Sequence, residues 1–148
     1  MGSAARQVAV VETSYGRLRG ARLDGVDVFK GIPFAKPPVG VLRWRAPEAP
    51  APWPGIRDAV EFGSCAIQST IPGDVGELIG IATGDVSEDC LYLNVWTPSP
   101  GDATRPVMVW IHGGGNTVGA GSQPRVNGEH LARTGDVVVV TVNYRLGA

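Results

Sequence analysis

Apolar and polar positions alternate from residue 8 to residue 32, in VAVVET, RLRGARL and VDVFKGI, with Asp24-Gly25 between the last two runs. A period of two puts one face of each segment against a core, and Asp-Gly suits a two-residue hairpin turn, so a small N-terminal antiparallel sheet is predicted, read as a lid or appendage. Residues 33–54, PFAKPPVGVLRWRAPEAPAPWP, break the alternation with a density of proline that excludes both a helix interior and a central strand. An extended, wrapping segment is predicted there, with Trp44 and Trp53 as anchors against a core; a proline-rich recognition motif is the weaker alternative. Two runs rich in β-branched and aromatic residues follow, LYLNVWT (91–97) and PVMVWIH (106–112), separated by the turn mixture SPGDATR. Beyond the glycine-rich GGGNTVGAGSQP come a helical candidate, NGEHLART (127–134), with Asn127 as N-cap and Gly135 as the stop, and then DVVVVTVNY. Its VVVVTV suits a strand buried on both faces. Strand 107–111, loop, helix and strand 137–142 make a βαβ unit with parallel strands and a right-handed crossover, so the class is α/β. A strand this apolar needs neighbours and covering helices, yet the sequence stops at Ala148. The expectation is therefore the N-terminal part of a single larger domain, with the bare edge of strand 137–142 prone to aggregate.

Composition narrows the function classes. With 43% hydrophobic residues and a mean hydropathy of +0.04, a globular chain is expected. Thirteen basic against 14 acidic residues leave a net charge of −1, which disfavours nucleic acid and anionic membranes as partners. No export signal and no apolar run of membrane-spanning length is visible, so a cytoplasmic location is the expectation, with secretion left open. The two cysteines, Cys65 and Cys90, are too few for a disulfide scaffold and have no partners for a zinc site; free thiols and a single bridge both remain open. If bonded, they close a loop worth roughly 3 to 4 kcal/mol in chain entropy.

The most informative segment for chemistry is WIHGGGN (110–116). Three glycines directly after an apolar strand permit backbone conformations in which successive N–H groups converge on a negative oxygen. A P-loop would require a lysine, and none stands between Gly113 and Ser122; a dinucleotide loop would require glycine where Val118 and Pro124 stand. The oxyanion of an attacked ester carbonyl fits better. A glycine-rich connection without a role is the bland alternative.

Four segments, in order, carry a resemblance: GIPFAKPPVGVLRW (31–44), SEDCLYLNVWTP (87–98), WIHGGG (110–115) and VNYRLG (142–147). The chain resembles the N-terminal part of the type-B carboxylesterases, the family of bacterial para-nitrobenzyl esterases, liver carboxylesterases and cholinesterases, and the resemblance covers nearly the whole chain. It implies an α/β-hydrolase fold, here incomplete, with the backbone N–H groups of Gly114 and Gly115 as oxyanion donors, Gly113 shaping the turn and His112 orienting the loop. It also implies a disulfide between Cys65 and Cys90 and an ion pair between Arg43 and Glu88. Where many relatives have a large apolar residue shaping the acyl pocket, Asn116 stands, which leaves acyl preference open. Residues 66–89 contain no aromatic side chain, so a quaternary ammonium ligand is disfavoured. None of the seven serines lies in G-x-S-x-G; family order places the serine, the acid and the histidine beyond Ala148. His130 is read as a surface residue. The implied activity is serine-dependent hydrolysis of small-molecule carboxylic esters without metal or cofactor, this chain supplying the oxyanion loop. A non-catalytic binding or adhesion module of the same fold is the alternative.

Overall fold

A computed structural model describes residues 7–69, 85–98 and 104–147. Residues 70–84 of the loop between the two cysteines, and Ala148 at the chain's end, lie outside the described residues. Seven strands and one α-helix are found among the described residues: β1 (Gln7–Thr13), β2 (Gly16–Leu23), β3 (Val26–Pro33), β4 (Ile56–Asp58), β5 (Tyr92–Pro98), β6 (Val107–Ile111), α1 (Glu129–Gly135) and β7 (Val138–Val142). The two residues between β2 and β3, Asp24 and Gly25, both have positive φ (48° and 81°), the geometry that matches the twist of a tight hairpin.

The N-terminal meander does not stand apart as an appendage. β3 pairs antiparallel with β5, and the sheet runs continuously in the order β1-β2-β3-β5-β7-β6, with β4 alongside β2. A register shift between Phe29 and Ile32 bends β3 on the way into this pairing. β6 and β7 pair in parallel across α1, as the βαβ pattern requires. On the helix side, Val26, Val28, Trp96 and Val139 pack around Ala132 of α1; Ala9, Leu18, Phe29 and Ala59 form a second cluster.

Three sequence expectations shift. The helix starts later, because Gly128 must lie flat against the sheet: a Cβ there would come within 2.6 Å of Val139 and 3.0 Å of Trp96. Asn127 still serves the helix start, its Oδ1 accepting the Glu129 N–H at 2.9 Å. Gly135 is the last helical residue, and Asp136 takes the left-handed stop conformation. β7 is internal and buries only alternate residues, Val139 and Thr141, fully; the bare edge belongs to β6, all five residues of which are exposed. Of the two expected anchors in the proline-rich segment, Trp53 holds, donating from Nε1 to Arg17 O (2.9 Å) and stacking on Tyr15. Trp44 does not: it is 76% exposed, at a φ of +60°.

Candidate active site

β6 delivers His112 and the three glycines to one end of the sheet. His112 is buried, its ring stacked on Tyr144 with centroids 4.2 Å apart and planes 12° from parallel. A carbonyl can only accept, so the 2.9 Å contact from His112 Nδ1 to Gly113 O places the proton on Nδ1. Tyr144 Oη donates to His112 O at 2.5 Å, fastening the end of β6 to the segment that leaves β7.

After His112 the backbone turns sharply. Gly114, Gly115 and Asn116 have φ of +127°, +61° and +57° in succession. Gly114 O accepts the N–H groups of Thr117 (3.1 Å) and Val118 (3.2 Å) and the Thr117 hydroxyl (2.9 Å). The turn is so close that a Cβ on Gly114 would lie 1.9 Å from Val118 O. With the carbonyl of Gly114 thus engaged, the N–H groups of Gly113, Gly114 and Gly115 have no acceptor among the described residues. Gly113 and Gly114 line a cleft of about 600 Å³, together with Trp110, His112, Val118 and Gln123 among others.

Asn116 is exposed, and its carbonyl accepts Gly147 N–H at 2.8 Å. A left-handed backbone is several-fold enriched in asparagine, so a backbone requirement sits beside any pocket role at this position.

Behind the glycines, Gly119, Ala120 and Gly121 are buried, and a polar network absent from the sequence reading holds them. Gly121 N–H donates to Asn143 Oδ1 (2.8 Å), while Gly121 O accepts from Thr141 Oγ1 (2.7 Å). Asn94 Nδ2 donates to Thr141 Oγ1 (2.9 Å), and Asn143 Nδ2 reaches Ser64 O (3.1 Å). Gln68 bonds both backbone groups of Gly119. The available signal was a lone polar residue inside an apolar run, Asn94 in LYLNVW and Thr141 in VVVVTV, since a buried polar group implies an internal partner. Gln68 and Tyr144 carry no such signal.

Arg43 and Glu88 are brought together as a two-pronged pair, Nη2 to Oε2 at 2.6 Å and Nε to Oε1 at 2.5 Å. The hydrogen bond from Arg43 holds the Glu88 carboxyl below its usual range. The implied Cys65–Cys90 disulfide is not made: both are buried free thiols. Burial raises both; Cys90, with Asp89 nearby, is pushed up to about 11. The Cys65 thiol lies 3.5 Å from Ser122 Oγ and packs with Ala120 beneath the glycine-rich loop. His130 lies exposed on α1, away from the cleft lining. Among the described residues, no group of three or more side chains is arranged to hold a metal ion, and no helix is long and apolar enough to cross a membrane.

Comparison with known proteins bears on this geometry. The profile of the carboxylesterase family matches residues 7–148. The para-nitrobenzyl esterase of Bacillus subtilis is 49% identical over 138 residues, covering 93% of this chain, and the phenmedipham hydrolase of Pseudarthrobacter oxydans is 48% identical over 140 residues, also covering 93%. A solved para-nitrobenzyl esterase structure superposes on 93% of the chain with a TM-score of 0.84 at 48% identity. The chain spans 28% of the length of each of these three proteins.

Proposed function

The chain belongs to the carboxylesterase family, with its part of an α/β-hydrolase fold, and from that premise we propose that it carries the oxyanion side of a serine-dependent carboxylic ester hydrolase. The observation that supports this best is the set of N–H groups at Gly113, Gly114 and Gly115, left without an acceptor among the described residues, where Gly113 and Gly114 line a cleft of about 600 Å³. Attack on a small ester carbonyl turns its oxygen into an anion. Gly114 and Gly115 N–H groups donate to that anion, with Gly113 leading into the turn in ordinary backbone geometry and His112, fixed by Tyr144, orienting it. Each such donor lowers the barrier by about 3 kcal/mol because it is already aimed when charge develops. Collapse of the intermediate releases the alcohol, and water then deacylates the serine. That serine comes from polypeptide outside these 148 residues, since none of the seven serines here has the G-x-S-x-G setting.

A chimera tests the reading: residues 7–148 replace the matching stretch of the Bacillus subtilis para-nitrobenzyl esterase. The chimera is expected to hydrolyse para-nitrophenyl acetate and to lose that activity to a serine-directed organophosphate, whereas the 148-residue chain alone shows no turnover. Turnover by the chain alone would displace the nucleophile assignment. A folded chimera without turnover would remove the oxyanion role and favour a binding module.

A further inference from the structure

Gln68 lies half-buried three residues after Cys65, and its amide makes three hydrogen bonds to main chain. Nε2 donates to Ala66 O (3.1 Å) and Gly119 O (2.9 Å), and Oε1 accepts the Gly119 N–H (2.7 Å). A side-chain amide that engages both the carbonyl and the N–H of one residue grips that residue much as a neighbouring strand would, fixing position and orientation together. Gly119 has no other backbone partner among the described residues.

What Gly119 touches makes this grip matter. Its φ of +119° suits only glycine, and a Cβ there would lie 2.3 Å from His112 Nδ1 and 2.5 Å from Gly113 O. The Gly119 backbone is therefore the back wall of the segment that begins the glycine run. Its neighbour Val118 donates to Gly114 O and abuts the Gly114 Cα. Displacing Gly119 thus displaces both supports of the Gly113–Gly114 backbone.

We propose that Gln68 is a positioning residue for the oxyanion loop, holding Gly119 so that the amides of Gly114 and Gly115 keep their aim. The proposal rests on the oxyanion reading of those two amides. Removing the grip misplaces donors without touching the ester, and a misplacement of that kind lowers kcat while leaving ground-state binding nearly unchanged. Gln68→Ala deletes all three bonds. Gln68→Glu keeps an acceptor for the Gly119 N–H, but its ionised form sets a second oxygen against the carbonyls of Ala66 and Gly119; protonation restores one donor.

Two measurements test it. In the isotope-labelled 148-residue chain carrying Val109→Lys, which charges the exposed edge of β6 and keeps copies from pairing through it, Gln68→Ala is expected to shift the amide resonances of Gly113, Gly114 and Gly115 while those of β1 and β2 hold still. In the chimera, both variants are expected to lower kcat for para-nitrophenyl acetate by about 10- to 100-fold with KM within about twofold. For Gln68→Glu, kcat relative to the unsubstituted chimera is expected to recover as pH falls from about 8 towards about 5, where its carboxyl takes up a proton. Glycine resonances that stay in place, or a kcat within about twofold of the unsubstituted chimera in both variants, would overturn the role. An inactive unsubstituted chimera would instead strike the oxyanion reading, and the resonances alone would then decide whether Gln68 sets the loop.

Discussion

Gly113, Gly114 and Gly115 differ in how far the backbone requires the absence of a side chain, and alanine separates them. Gly113 has ordinary φ and open space around an added Cβ; Gly115 has the same space but a φ of +61°; Gly114 combines a φ of +127° with Val118 O at 1.9 Å. Gly113→Ala is therefore expected to be nearly silent, Gly115→Ala to cost about 1–2 kcal/mol of left-handed strain, and Gly114→Ala to force the turn open. In the chimera, kcat should fall least at Gly113 and by about 100-fold or more at Gly114; equal losses at all three would refute the geometric ranking. Cys90 offers a pH test. Its folded thiol is raised to about 11, above the 9.0 of an ordinary thiol, so the folded state resists an ionisation the unfolded chain accepts. The stability this contributes is complete below pH 9 and drains away as pH rises towards 11. Urea midpoints at about pH 8 and about pH 10.5 should therefore converge in Cys90→Ala relative to the parent, and an unchanged gap would assign the alkaline loss elsewhere. At this scale the glycine run was legible because its spacing after a strand has few physical uses. Trp44 and Asn116 were not, because nothing in a residue's type announces a left-handed backbone forced by its neighbours.

The elements that sequence pattern fixed well are those set by local chemistry. Asp24-Gly25 dictates a turn whatever surrounds it, and the βαβ unit follows from runs too apolar to lie anywhere but inside a sheet. The elements misjudged depend on partners distant in sequence. Helix α1 starts at Glu129 because Val139 and Trp96 press on Gly128, and β7 is internal because β5 flanks it. The exposed edge thus passes to β6, where Val107, Met108, Val109, Trp110 and Ile111 show both faces to solvent with no proline or charge among them. Such an edge templates pairing with another chain. The 148-residue chain is expected to self-associate at micromolar concentration, and Val109→Lys to suppress this without changing its circular dichroism. Sedimentation velocity checks it; oligomers that survive the charge would move the contact away from β6.

Across the whole molecule, the loop that bears the glycines is held by polar atoms from three distant parts of the chain. Ser64 precedes Cys65, Asn94 lies on β5, and Thr141 and Asn143 lie on and just after β7; all but Ser64 send a side chain towards the Gly121 peptide. Hydrophobic contact alone would let the loop slide, whereas a buried residue whose backbone N–H and C=O are both matched has one position. Asn143→Ala strips Gly121 N–H and Ser64 O of their partners at once, and each buried group left unpaired costs about 1–3 kcal/mol. Thr141→Val strips Gly121 O of its main partner and leaves Asn94 Nδ2 reaching for it at 3.4 Å. Both substitutions act on the backbone of one residue, Gly121, so once Asn143→Ala has released it, Thr141→Val has less left to lose. The urea-derived losses should therefore fall short of additive by about 0.5–3 kcal/mol in the double variant. Strict additivity would mean that Gly121 is held from elsewhere, and that the network fills the interior without fixing the loop that the glycines extend.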